Sequence, residues 1–178
     1  GAVVTKSVGP EPREGYPNPT IVEIDAGLLN AVGLPNPGVI EYEYEVKRAH
    51  AAGAVVIGSV YGKDAEEYAA VAAKMSTYGV KAIELNLSCP HAKGLGTEIA
   101  QDEAAVRDFT RTVKDVVDIP VFPKLSPNVQ DIAAFALAAE EGGADGIVAI
   151  NTLKAMAITP ELKIPSLANR YGGLSGPA

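Results

Sequence analysis

Residues 81–88 read "KAIELNLS" and residues 121–126 read "VFPKLS". In a β-strand successive side chains face opposite ways. Ile83, Leu85 and Leu87 then share one face, Glu84, Asn86 and Ser88 share the other, and Lys124 lies on the face of Phe122 and Ser126. If the apolar faces pack on helices, Asn86 and Lys124 both project from the opposite side, at the C-terminal ends of two strands. The same unit recurs outward from here. "AVVTK" (2–6) and "AVVIGSV" (54–60) read as strands before it, and "DGIVAIN" (145–151) as a strand after it. Helical patterns fill the gaps: 39–53; 64–78 with Ala65, Tyr68, Ala72 and Met75 at helical spacing; 101–117 with Val106, Phe109 and Val113 on one face; and 129–143 with Ile132, Phe135 and Ala139 facing inward. Residues 9–19 form a Pro/Gly-rich loop, "IVEIDAGLLNAVGLPNPG" (21–38) reads as irregular with a tight-turn ending, and everything after 151 reads as loop.

Alternating strands and helices build a parallel sheet with right-handed crossovers. Periodicity alone leaves a barrel and a doubly wound open sheet both open. Polar groups at the ends of several different strands, Lys6, Asn86, Lys124 and Asn151, favour the α/β barrel, which draws its active-site groups from many strand ends. Only about five strands are legible where a (β/α)8 TIM barrel has eight. The expectation is therefore a single domain over 1–178 that forms the central, incomplete portion of such a barrel within a longer protein.

A chain of 178 residues, 47% hydrophobic and 21% charged, is long and apolar enough to bury a core. Its net charge of −7, with no run of Lys or Arg, speaks against nucleic acid as a partner. No apolar run reaches the ~20 residues of a membrane span. One cysteine cannot make an internal disulfide, which fits a cytoplasmic protein.

That cysteine, Cys89, follows a strand end and enters the polar loop "PHAKGLGTE". A lone cysteine is ordinarily a small buried hydrophobe, and metal binding has little support because Cys89 and His91 have no second pair of ligands. A base is the better reading, since a thiolate stabilised by its neighbours can take a proton from a weakly acidic carbon. Gly94 and Gly96 lack the spacing of a dinucleotide-binding fingerprint. Asn30, Asn86 and Asn151 lie near turns or strand ends. Each amide offers both an acceptor and donors, so several in one pocket would suit a ring edged with carbonyl and N–H groups, such as a pyrimidine. Lys6 and Lys124, if directed inward, could pair with an anionic substrate group or a reduced cofactor.

"ELNLSCPHAKGLG" (84–96), "KLSPNVQDI" (124–132), "GGADGIVAINTLKAMAI" (142–158) and "YGGLSGPA" (171–178), together with Lys6-Ser7 and "GLLNAVGLPNPG" (27–38), resemble the dihydroorotate dehydrogenases in order along nearly the whole chain. The resemblance is strongest to class 1, and within it to the NAD-linked enzymes that pair with an iron-sulfur, FAD-containing subunit. It implies an FMN-dependent TIM barrel that oxidises dihydroorotate to orotate in pyrimidine synthesis, working as a homodimer or heterotetramer. Carried over by position, Cys89 is the catalytic base. Lys6, Asn30, Asn86, Asn151 and Thr152 hold the substrate, and the backbone of Val32, Gly33 and Leu34 takes its carboxylate. Lys6, Ser7, Asn86, Lys124, Ile150, Gly172 and Gly173 lie against the flavin, whose phosphate site is expected outside this segment. No metal ligand is implied. "SCPH" at 88–91 also resembles dihydropyrimidine dehydrogenase, which acts on uracil and thymine, so that enzyme is the alternative; the non-enzymatic alternative is a cofactor-free barrel scaffold.

Overall fold

A computed structural model describes residues 1–25, 27–87 and 101–177. The chain resolves into two compact units, residues 1–13 with 36–151, and residues 14–35 with 152–178.

The larger unit is the α/β part. Its strands β1 (Val3–Val4), β4 (Val56–Val60), β5 (Ala82–Asn86) and β6 (Val121–Lys124) form one parallel sheet in the order β1-β4-β5-β6. Each strand therefore lies beside the next one in this unit. A doubly wound sheet would reverse direction at a switch point; successive strands that keep adding on one side are the winding of a barrel. The "DGIVAIN" segment continues this order, although only as an isolated parallel bridge between Val148 and Lys124 rather than the expected strand. It is still tied to β6, because Val148 N–H donates to the Pro123 carbonyl at 3.0 Å and Asn151 N–H to the Leu125 carbonyl at 2.9 Å. "AVVTK" likewise shortens to two strand residues, with its pairing carried onward by Val8 N–H to the Ser59 carbonyl at 3.0 Å.

Helices α1 (Glu43–Ala51), α2 (Ala65–Ser76) and α3 (Glu103–Lys114) lie between these strands in sequence, and α4 (Ile132–Glu141) lies between β6 and the "DGIVAIN" segment. Three of them begin on an aspartate whose carboxylate accepts an otherwise unpaired first-turn N–H: Asp64 from Glu67 at 2.8 Å, Asp102 from Ala104 and Asp131 from Ala133 at 2.9 Å. Helix α2 packs on β4 and β5, and α2, α3 and α4 pack on one another in sequence. The core between them holds Val56, Val60, Ile83, Leu85, Leu87 and Val121 from the sheet side, against Tyr68, Val71, Ala72, Met75, Val106 and Val113. Of the residues expected to face inward, Ile132 is exposed, because it opens the first turn of α4 at the edge of the packing.

The smaller unit corrects two expectations. Residues 21–30 are not irregular: β2 (Ile21–Ile24) and β3 (Gly27–Asn30) pair antiparallel, Ile21 opposite Asn30, while 31–38 stay irregular as expected. Nor is the C-terminal part a loop. There β10 (Gly172–Ser175) lies antiparallel between β3 and β7 (Leu153–Ala155), in a sheet of order β2-β3-β10-β7, while β8 (Ile158–Thr159) and β9 (Ile164–Pro165) make a separate two-stranded ladder. Leu29, Ala31 and Leu167 form its buried centre, covered by Tyr16, Val22, Ala155, Ala157 and Leu174.

Candidate functional site

The residues singled out in the sequence divide between the two units, and Cys89, with Ser88 and His91, lies outside the described residues. In the larger unit, Asn86 and Lys124 are register partners on β5 and β6, so their side chains leave the same face of the sheet side by side. Ile83, Leu85 and Leu87 pack in the core on the other face, as the alternation requires. Lys6, on β1's extension, is exposed, Lys124 half-buried, and Ile150 exposed. Beside Lys6 stands Tyr42, whose hydroxyl is pushed above the usual tyrosine range chiefly by burial, with hydrogen bonding to the Lys6 backbone pulling the other way.

Around Asn86 a continuous polar chain crosses four neighbouring segments. Asn151 Nδ2 donates to Asn86 Oδ1 at 3.1 Å, and Asn86 Nδ2 donates to Ser7 Oγ at 2.9 Å. Ser7 Oγ lies 2.9 Å from Ser59 Oγ, and Ser59 Oγ donates to Glu84 Oε1 at 3.0 Å. Tyr68 adds a support from the helix layer, its hydroxyl donating to the Asn86 backbone carbonyl at 2.7 Å. Thus Ser7, Asn86 and Asn151, three residues far apart in sequence, are brought into direct contact.

Ser59, Glu84 and Tyr68 are not singled out by the sequence reading. Glu84 carries a signal: a carboxylate between Ile83 and Leu85 in the middle of a strand is costly to bury without a partner, and it is only 4% exposed. Ser59, its register partner on β4, supplies that partner.

In the smaller unit, Asn30 Nδ2 donates to the Gly173 carbonyl at 3.2 Å, across the β3–β10 ladder. Thr152 stands against Gly173 so closely that a Cβ there would collide with the threonine hydroxyl, and a Cβ on Gly172 would meet the Asn30 carbonyl at 2.5 Å. The Val32-Gly33-Leu34 turn has two consecutive left-handed residues, with φ of 81° at Gly33 and 56° at Leu34, and the Val32 carbonyl accepts from Tyr16 N–H at 3.1 Å. Asn30, Gly172, Gly173 and Thr152 therefore form one contact group.

Two clefts lie elsewhere in the larger unit, one of about 230 Å³ beside Arg13, Tyr61 and Lys63, the other of about 570 Å³ beside Asn128 and Asp131. Neither contains a residue of the polar chain. The chain is the better candidate site because it joins several strand ends, where barrel proteins assemble their chemistry.

These features define an α/β-barrel protein with an amide-rich site at its strand ends. The chain belongs to the dihydroorotate dehydrogenase family, whose profile matches residues 1–178. The catalytic subunit of dihydroorotate dehydrogenase B (NAD(+)) from Methanocaldococcus jannaschii is 54% identical over 182 residues, covering 100% of this chain and 59% of that protein. The subunit of the same name from Methanocella arvoryzae is 52% identical over 178 residues, covering 100% of this chain and 58% of that protein. That from Pyrococcus horikoshii is 54% identical over 177 residues, covering 99% and 58%. The chain thus spans somewhat under two thirds of the length of these relatives. Among solved structures, the carboxyl transferase domain of Rhizobium etli pyruvate carboxylase matches 63% of this chain and 19% of its own, with a TM-score of 0.51 at 15% identity, a likeness of fold alone. Among the described residues no helix is long and apolar enough to cross a membrane.

Proposed function

We propose that this chain is part of a cytoplasmic flavoenzyme that oxidises dihydroorotate to orotate in pyrimidine synthesis. The observation that carries the reading is the Asn151–Asn86 amide pair with Lys124 beside it. A pyrimidine dione and the pyrimidine edge of a flavin both alternate carbonyl and N–H groups, and neighbouring amides with an adjacent ammonium match that alternation. The proposed cofactor is flavin mononucleotide, with Lys6, Ser7, Asn86, Lys124, Ile150, Gly172 and Gly173 as its proposed contacts; the adjacent Asn86 and Lys124 side chains, an amide and an ammonium, are what supports it. Bound there, the flavin supplies the acceptor for the two electrons that leave dihydroorotate as hydride from C6. Cys89 takes the C5 proton, which the neighbouring C4 carbonyl acidifies. Asn30, Asn86 and Asn151, with Thr152, orient the ring and polarise its carbonyls, while Lys6 and the Val32–Leu34 backbone hold the carboxylate. The relatives, named as catalytic subunits of an NAD(+) enzyme, support a separate partner subunit and NAD+ as final acceptor; iron-sulfur and FAD groups on that subunit are part of the proposal.

The test is orotate titration of the flavin-loaded full-length protein, followed by the flavin absorbance change. Asn86→Ala and Asn151→Ala are each expected to weaken orotate binding by about tenfold or more, the cost of unpairing buried polar groups on the ligand. Absence of flavin from the purified protein, or unchanged orotate affinity in both variants, would refute the assignment.

A further inference from the structure

We propose that Glu84 is a positioning residue, which through Ser59 and Ser7 fixes the direction in which the Asn86 amide faces. The hydrogen bonds around it leave a single consistent arrangement of protons. Ser59 has one hydroxyl proton and gives it to Glu84 Oε1. In the 2.9 Å contact between the two serines, Ser7 must then be the donor. With its own proton committed, Ser7 can only accept from Asn86, so the amide turns its Nδ2 toward Ser7 and its Oδ1 toward Asn151. All the donors point in one sense, toward a carboxylate that is 4% exposed.

An asparagine amide turned by 180° fills the same space with donor and acceptor exchanged. Without the carboxylate, Ser59 could donate to Ser7, Ser7 to Asn86 Oδ1, and the amide would present its Nδ2 to Asn151, which would have to turn as well. Glu84, which lies two residues before Asn86 on the same strand, thereby decides the pattern of donors and acceptors that Asn86 and Asn151 offer a ligand. The ligand itself rests on the reading above; the relay does not.

A swap of donor and acceptor tests it in the flavin-loaded full-length protein, with the urea midpoint as readout. Asn86→Asp sets an acceptor against the oxygen of Ser7 and is expected to lower the midpoint. Adding Glu84→Gln lets the whole relay reverse: the new amide at position 84 donates to Ser59, Ser59 to Ser7, and Ser7 to the new carboxylate at position 86. The double variant is expected to recover at least half of the loss. Glu84→Leu, which removes the charge but supplies no donor, should not rescue Asn86→Asp, and neither should Glu84→Gln once Ser59→Ala has cut the relay. If Asn86→Asp alone does not accumulate folded, the same comparison is read as yield of folded flavoprotein. No rescue by Glu84→Gln, or equal rescue by Glu84→Leu or in the Ser59→Ala background, would overturn the proposal, since simple relief of charge repulsion would then suffice. Orotate titration of Glu84→Gln separates the two claims. A rescue that depends on Ser59 upholds the relay even if orotate fails to bind, and orotate binding without such a rescue upholds only the functional reading.

Discussion

Tyr68 connects the helix layer to the site, and removing one atom from it tests that connection. The side chain is 1% exposed, its ring lies 5.5 Å from that of Phe109 at a tilt of 58°, and its hydroxyl donates to the Asn86 carbonyl at 2.7 Å. Tyr68→Phe keeps the ring and deletes only the hydroxyl. The loss has two parts: the net value of the hydrogen bond, about 1 kcal/mol, and the cost of leaving the Asn86 carbonyl with one partner fewer, which together give about 1–2 kcal/mol. Tyr68→Leu would also leave a cavity beside Phe109 and should cost about 3 kcal/mol or more. Urea unfolding of the full-length protein is the assay, with an unchanged slope as the condition that the midpoints report stability. Because the hydroxyl also holds the end of β5, Tyr68→Phe is expected to weaken orotate binding several-fold. A Tyr68→Phe variant within about 0.3 kcal/mol of wild type would refute the reasoning, as this lies well below even the smallest net hydrogen bond.

Asp145 receives Lys114 Nζ and Val121 N–H on the same oxygen, both at 2.8 Å, and the Lys114 hydrogen bond is the chief cause that holds its carboxyl below the usual carboxylate range. Its pKa is lower folded than unfolded, so it contributes stability above about pH 4 that is lost as pH falls through the folded value. Wild type and Asp145→Asn should therefore differ at about pH 6, by less than about 1 kcal/mol since the pair is partly exposed, and converge toward about pH 2. Gly58→Ala would set a Cβ 2.5 Å from Met75 Cγ, a side chain with no exposure, and should cost about 1–3 kcal/mol, with Met75→Ala in the same chain restoring part of it. Gly173→Ala would drive a Cβ into Thr152 and is expected to speed amide exchange in Leu153–Ala155, the strand paired with it, relative to β5.

The α/β unit is legible in the sequence because its signals are local and redundant. Ile83, Leu85 and Leu87 alternate with Glu84 and Asn86 over a run long enough to reveal the period, and Tyr68, Ala72 and Met75, like Val106, Phe109 and Val113, recur at helical spacing. The antiparallel unit is not legible in this way. Its strands are two to four residues long, β3 and β10 contain glycine, and β3 finds its partner β10 more than 140 residues away, so neither length nor neighbourhood betrays the pairing. The "DGIVAIN" segment falls short of the strand its apolar residues suggest. It follows β6 but makes a single bridge, since Gly146 and the exposed Ile147 and Ile150 give it little to bury. At the site, the asparagines and lysines stand out as polar residues at strand ends, while Ser59 does not. A serine inside "VIGSV" carries no signal until the register sets it opposite Glu84.

The most direct measurement is anaerobic mixing of the full-length, flavin-loaded protein with dihydroorotate, in parallel with dihydrouracil, while flavin absorbance is followed. Bleaching by dihydroorotate, fast in wild type and slowed by orders of magnitude in Cys89→Ala with orotate affinity largely kept, is the expected result. No bleaching by dihydroorotate, bleaching by dihydrouracil instead, or reduction at an unchanged rate in Cys89→Ala would contradict it.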